Sequence, residues 1–250
     1  MIGQPWQRSG QAGACGAEGG RARRTVPRWV GAGVAVLFGA AGCSGGSGDD
    51  TPPGVTAEQV CDGALDTAGA EALRRLGGTD RFTELTGTTE AGQPNAFSVA
   101  RAAKHLHDEV GLRSRCTVYR AGDRSGRPLV ELDFKAASRF PGRGTVEKGA
   151  RDLTYYPLGV LAYTKEANST SLYFRCPTKG TGTAAAGTTA GTPYVNAGLF
   201  STPARIEGGT SGEDRMTVLN SVSRRLADVL ACADEAGLPE RVPVPEEPGA

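Results

Sequence analysis

Apolar positions recur along this chain in three different rhythms, and each predicts a different element. Residues 29–42 are apolar or small without interruption, WVGAGVAVLFGAAG. From Thr56 onward the apolar residues are spaced. Thr56-Ala57-Glu58-Gln59 has the form of a capping box, in which a hydroxyl and an amide satisfy the orphan amides of a helix start. A helix broken near Gly63 is expected to run from there to Leu76 and to stop at Gly77-Gly78. Asn95 is placed to cap a second helix, with Val99, Ala103, Leu106 and Val110 at helical spacing and Gly111 as its end.

The rhythm then changes to alternation. Cys116 and Val118 alternate with Thr117 and Tyr119, and Val130, Leu132 and Phe134 alternate with Glu131, Asp133 and Lys135, which is the pattern of half-buried strands. The turn residues from Gly122 to Gly126 join these two strands as a hairpin. A second hairpin is expected from Leu158–Thr164 and Leu172–Cys176, turning at Asn168-Ser169, with a fifth strand near Tyr194–Phe200. Helical spacing returns at the end. Val218, Val222, Leu226, Val229, Leu230 and Ala233 form one stripe, closed by Gly237 and Pro239. Strands gathered between helices predict an α+β fold, an antiparallel sheet of about five strands with helices packed on one face. Thr178–Thr192 is low-complexity and reads as a mobile loop, and no internal repeat is present.

The apolar run at 29–42 is too short to cross a bilayer, which takes roughly 20 residues, and it follows Arg21, Arg23, Arg24 and Arg28. It reads as an export signal. Ala40-Ala41-Gly42-Cys43 resembles the lipobox of bacterial lipoproteins, although alanine stands where a large aliphatic residue is usual, three positions before the cysteine. The resemblance implies a diacylglycerol on the Cys43 thiol and cleavage before it. The following SGGSGDDTPPG is a polar spacer suited to a membrane tether. Arg23-Arg24 also resembles a twin-arginine export signal, without the large apolar residues that normally follow. In layout the chain resembles small actinobacterial lipoproteins of unassigned function. The expected organisation is a signal peptide at 1–42, a flexible linker at 43–55, one α+β domain at 56–238 and a disordered tail rich in proline and glutamate at 239–250. The expected location is the extracytoplasmic face of the cell membrane.

Removing residues 1–42 changes the charge. The precursor has 28 basic and 27 acidic residues, and the segment holds five arginines and one glutamate. The mature chain therefore has 23 basic and 26 acidic residues. A net of −3 gives no case for nucleic-acid binding. Four cysteines remain, Cys61, Cys116, Cys176 and Cys232, and two disulfides in an oxidising compartment are the simplest account. No CxxC spacing supports zinc. Cys116 and Cys176 share the inward register of their strands, and Cys61 and Cys232 lie in terminal helices that would pack together. The favoured pairing is thus Cys116–Cys176 with Cys61–Cys232.

Motifs for chemistry are absent. The sequence holds no SxxK, HExxH, phosphate-binding or EF-hand pattern. Gly180–Ala185 partly mimics a dinucleotide loop but opens no helix. The only histidines are His105 and His107, which diverge on a helix and so do not share a metal. His107 is expected to be half-buried and His105 to be surface. No catalytic residue, cofactor or metal is assigned. One segment departs from plain solvation. Residues 113–151 hold ten basic residues against four acidic ones, with Arg120, Arg124, Arg127, Arg139 and Arg143 as candidate contacts to an anionic surface. The leading expectation is a non-enzymatic, membrane-anchored binding module of the cell envelope, its partners an anionic cell-wall polymer, lipid or an envelope protein. A cell-envelope hydrolase is the alternative.

Overall fold

The computed structural model describes residues 54–180, 191–207 and 212–247. Cys43, the signal segment and most of the expected mobile loop lie outside these residues. The chain alternates short helices with seven strands: α1 (Val60–Gly63), α2 (Thr67–Gly77), β1 (Phe82–Glu84), α3 (Val99–Lys104), β2 (Cys116–Arg120), β3 (Val130–Ala137), α4 (Arg143–Glu147), β4 (Leu153–Tyr156), β5 (Leu161–Lys165), β6 (Ser169–Thr178), β7 (Thr192–Ser201), α5 (Gly212–Val229) and α6 (Ala233–Ala236). The strands form one sheet in the order β1-β2-β3-β7-β6-β5-β4, and every neighbouring pair is antiparallel. The α+β class is as expected, but the sheet has seven strands where about five were expected. The two additional strands are the edges. β1 has three residues and β4 has four, and neither is long enough to show alternation.

Strand alternation divides the sheet into two faces. Leu132, Phe134, Leu172, Phe174, Val195, Ala197 and Leu199 point inward and join the core with Leu73 and Leu76 of α2 and Met216, Leu219, Val222 and Leu226 of α5. Their alternates, Glu131, Asp133, Tyr173, Asn196, Gly198 and Phe200, point the other way. The helices α2, α3 and α5 cover the inner face. The short α4 does not: the Arg143 guanidinium lies 4.3 Å over the Tyr155 ring, and Tyr155 alternates with the core residue Tyr156. The crossover from β3 to β4 therefore passes over the outer face, where Phe140 meets the rings of Tyr194 at 5.2 Å and Tyr173 at 6.5 Å.

The first helix breaks where expected. Thr56 and Gln59 form the capping box, and Cys61 and Asp62 take left-handed backbone angles before α2 restarts on Asp66, whose Oδ1 accepts from the Gly69 amide at 2.8 Å. The second helix differs from expectation. Ser98, not Asn95, caps it, and it ends at Lys104; the Asn95 amide instead donates to the Thr86 carbonyl at 2.9 Å in a loop. Leu106 is still buried, but Val110, expected on the same stripe, is half exposed. The strand of linker before the domain is tied from Val55, whose amide bonds to the Phe82 carbonyl. The tail from Pro239 also makes contacts: Asn220 Nδ2 donates to the Pro239 carbonyl at 2.8 Å, and the Glu246 amide donates to the Tyr155 carbonyl at 2.9 Å.

Two disulfides are present, Cys61–Cys116 and Cys176–Cys232, in place of the expected Cys116–Cys176 and Cys61–Cys232. Both strand cysteines do face inward. However, β3 and β7 separate β2 from β6, so Cys116 and Cys176 stand three strand spacings apart, about 14 Å, beyond the reach of a disulfide. Each strand cysteine pairs instead with the segment directly above it. Cys116 joins α1, and Cys176 joins the end of the α5–α6 turn.

Candidate functional site

The outer face of the sheet is where chemistry-bearing side chains gather. β2 and β3 place Thr117 opposite Glu131, and β3 and β7 place Glu131 opposite Phe200, which in turn stands opposite Ser169 of β6. These four form a row across four strands. The neighbouring row carries Asp133, Gly198 and Ser171. Arg113 Nη2 donates to Asp133 Oδ2 at 2.8 Å and Arg115 Nη1 to Glu131 Oε1 at 3.2 Å, so each outward acid of β3 is held by an arginine from the segment before β2.

At the β1 side this face deepens into a cleft of about 390 Å³. Thr117, Glu131, Arg113 and Arg115 line it below, and Leu85, Pro94 and Val110 line its walls. The volume is in the range of small-molecule sites, and the mixture of apolar walls with a few polar groups is what such sites use. A larger groove of about 720 Å³ lies between α2, α5 and the tail. Its charges are mostly engaged: Arg75 pairs with Asp214 at 2.6 Å, and Arg224 pairs with Asp66 at 2.9 Å and with Glu240 at 3.8 Å.

The expected basic surface resolves into paired and free groups. Arg120 Nη1 bonds Glu207 Oε1 at 2.9 Å, and its Nη2 donates to the Arg205 carbonyl. Arg143 grips Glu246 through both nitrogens, at 2.6 and 2.7 Å. Arg124 and Arg127 in the β2–β3 turn, and Arg139 in the crossover, are exposed and have no ion-pair partner among the described residues. Two of the five candidates are thus engaged by acids, Glu207 and Glu246.

The histidines exchange their expected environments. His105 is half-buried with Nδ1 2.6 Å from Asp108 Oδ2, and His107 is exposed with Nε2 3.0 Å from Thr178 Oγ1. Among the described residues neither contacts a serine or a free thiol, and no carboxylate orients His107. The hydroxyl that His107 meets is that of Thr178, which is also 3.1 Å from Thr192 Oγ1. Cys61, Glu84 and Cys116 bring their ligand atoms within 4.8 Å of one another. The sulfurs are joined to each other, so they offer no thiolate to a metal. Glu84 instead braces the bridge. Its Oε1 accepts from the Cys61 amide at 2.5 Å and lies 3.3 Å from Cys116 Sγ, and burial pushes its carboxyl above the usual range. No helix among the described residues is long and apolar enough to cross a membrane.

The chain matched no family model, no curated protein and no solved structure. The cleft was missed in the sequence because its residues come from separate elements with no common spacing. For the outer face beside it a signal was available in Phe200, an aromatic residue at an outward position of a strand.

Proposed function

We propose that this protein is a non-enzymatic, membrane-anchored binding module on the extracytoplasmic side of the cell envelope, held by lipid on Cys43. The observation that supports this reading best is the pair of buried disulfides, Cys61–Cys116 and Cys176–Cys232, each tying a helical segment to a different strand. Structural disulfides of this kind persist in oxidising, extracytoplasmic surroundings. The partner is a phosphate-bearing wall polymer, met by Arg124 and Arg127 in the exposed β2–β3 turn and by Arg139. These cations have no ion-pair partner among the described residues, and exposed charges attract an anion over about 8 Å at physiological salt.

Two measurements test the reading. Cys43→Ser releases the protein from the membrane fraction or leaves it unprocessed; unchanged fractionation refutes the anchor. Reversing Arg124 and Arg127 to glutamate weakens retention on a glycerol-phosphate polymer and on anionic vesicles, and the loss shrinks as salt rises. Retention equal to that of the parent across the salt series refutes the basic contact.

A further inference from the structure

Phe200 is half exposed, 50%, on the outer face, and its register neighbours there are Glu131 and Ser169. Glu131, its register partner on β3, is also a lining residue of the 390 Å³ cleft, so the aromatic ring and the cleft are contiguous. Beside Phe200 the sheet has no side chain at Gly198, where an added Cβ would meet nothing nearer than 4.0 Å. The row from Thr117 to Ser169 is therefore a shallow trough, walled at one end and floored by glycine beside a flat apolar ring. It spans three strand spacings, about 14 Å.

Both cations of this trough are engaged, Arg113 by Asp133 and Arg115 by Glu131, and the further lining charge, Glu90, is acidic. An anionic ligand therefore meets no free cation here, and binding one would mean breaking a pair. Beneath them Arg113 Nε and Asp133 Oδ1 are buried without a hydrogen-bond partner among the described residues. Planar guanidinium and carboxylate groups, still one-third exposed at Arg115 and Glu131, offer donors and acceptors side by side. The neutral group that matches such an array is a hydroxyl, which donates and accepts at once. A pyranose ring carries hydroxyls on its rim and presents apolar C–H groups from its face, which suit an exposed aromatic ring. The apolar walls at Leu85 and Val110 accept a methyl group such as that of an acetamide.

We propose that the cleft and Phe200 form one groove for a neutral, N-acetylated pyranose chain, with room for about three rings across β2, β3, β7 and β6. This inference rests on the reading of the chain as an envelope-binding module and names a second ligand chemistry for it. Thr117 and Glu131 of the trough and the turn bearing Arg124 and Arg127 belong to one hairpin, so one envelope polymer can present sugars to the trough and phosphates to the turn.

The test is calorimetric titration of the full chain, purified in detergent, with a β-1,4-linked tetramer of N-acetylglucosamine. Saturable binding is expected with a Kd of about 1 mM or tighter, unchanged in high salt because the ligand is neutral. Phe200→Ala is expected to weaken binding at least tenfold and Glu131→Gln at least threefold, both with the parent's melting temperature. Absence of saturable binding by the parent, or equal binding by Phe200→Ala, overturns the groove. Retention on glycerol-phosphate polymer, measured on the same samples, separates the two claims. If the polymer is retained and the tetramer is not bound, the groove alone fails; if both are lost for the parent, the binding-module reading fails with it.

Discussion

The same strands build two unlike faces. Toward the helices, β3, β6 and β7 present Leu132, Phe134, Leu172, Phe174, Ala197 and Leu199, all within 2% of complete burial. On the outer face, one residue along each strand, stand Glu131, Asp133, Ser171, Tyr173, Asn196 and Phe200, half-buried or exposed apart from Asn196 at the edge of burial. The difference separates two tasks that share one backbone. The inner face holds the fold through close packing, and a lost methylene there is felt directly. The outer face bears groups whose removal leaves the core untouched, which is the condition for a surface to be shaped by a ligand.

That contrast can be broken by mutation. Phe174→Ala on the inner face is expected to destabilise the protein by about 3 to 5 kcal/mol, combining lost transfer energy with a cavity. Phe200→Ala, the aromatic truncation on the opposite face, is expected to stay within about 0.5 kcal/mol. Urea denaturation of the two variants checks both numbers, and similar losses would dissolve the distinction. The disulfides belong with the inner face. Their cysteines are 55 and 56 residues apart, so the chain-entropy model assigns each about 4 kcal/mol, often less in practice. Removing either pair as a double serine variant is expected to lower stability by similar amounts. Non-reducing peptide mapping must first find Cys61 linked to Cys116.

A smaller effect concerns pH. Burial raises the Glu84 carboxyl above its ordinary value, so in the acid range the folded protein keeps a proton that the unfolded chain has released. Stability therefore falls as pH rises from the unfolded carboxylate pKa, about 4.3, through the higher folded value. Glu84→Gln removes this fall. Denaturation midpoints of parent and variant are expected to converge in strong acid and to diverge toward neutrality, with the variant the more stable partner. A constant difference across pH would show that Glu84 does not titrate in this way. Smallest of all, reversing Arg124 and Arg127 is expected to leave the melting temperature nearly unchanged, since solvated turn charges contribute little.

Much of this contrast was legible in the amino-acid order, because alternation is local. Val130, Leu132 and Phe134 against Glu131, Asp133 and Lys135 identifies the two faces of β3 from six consecutive residues. What alternation cannot supply is adjacency. Cys116 and Cys176 both point inward, yet β7 enters the sheet between β3 and β6 although it follows β6 in sequence, and this insertion separates the two cysteines. The same non-local order creates the trough. Glu131 and Phe200 are neighbours only because β3 pairs with β7. Capping was legible where the chemistry is unambiguous, as at Thr56 and Gln59, and misplaced where Asn95 and Ser98 competed three residues apart. The basic segment was visible as composition. The pairing of Arg120 and Arg143, and not of Arg124, Arg127 and Arg139 among the described residues, depends on Glu207 and Glu246, which are distant in the chain.

The central claim is that ligand meets the outer face and not the helix-covered one. Backbone chemical-shift mapping during titration with the N-acetylglucosamine tetramer tests it most directly. The account predicts shifts concentrated at Thr117, Glu131, Gly198 and Phe200, with α2 and α5 silent. Shifts centred on Arg75, Arg224 and Glu240 would place binding in the larger groove between the helices and contradict it.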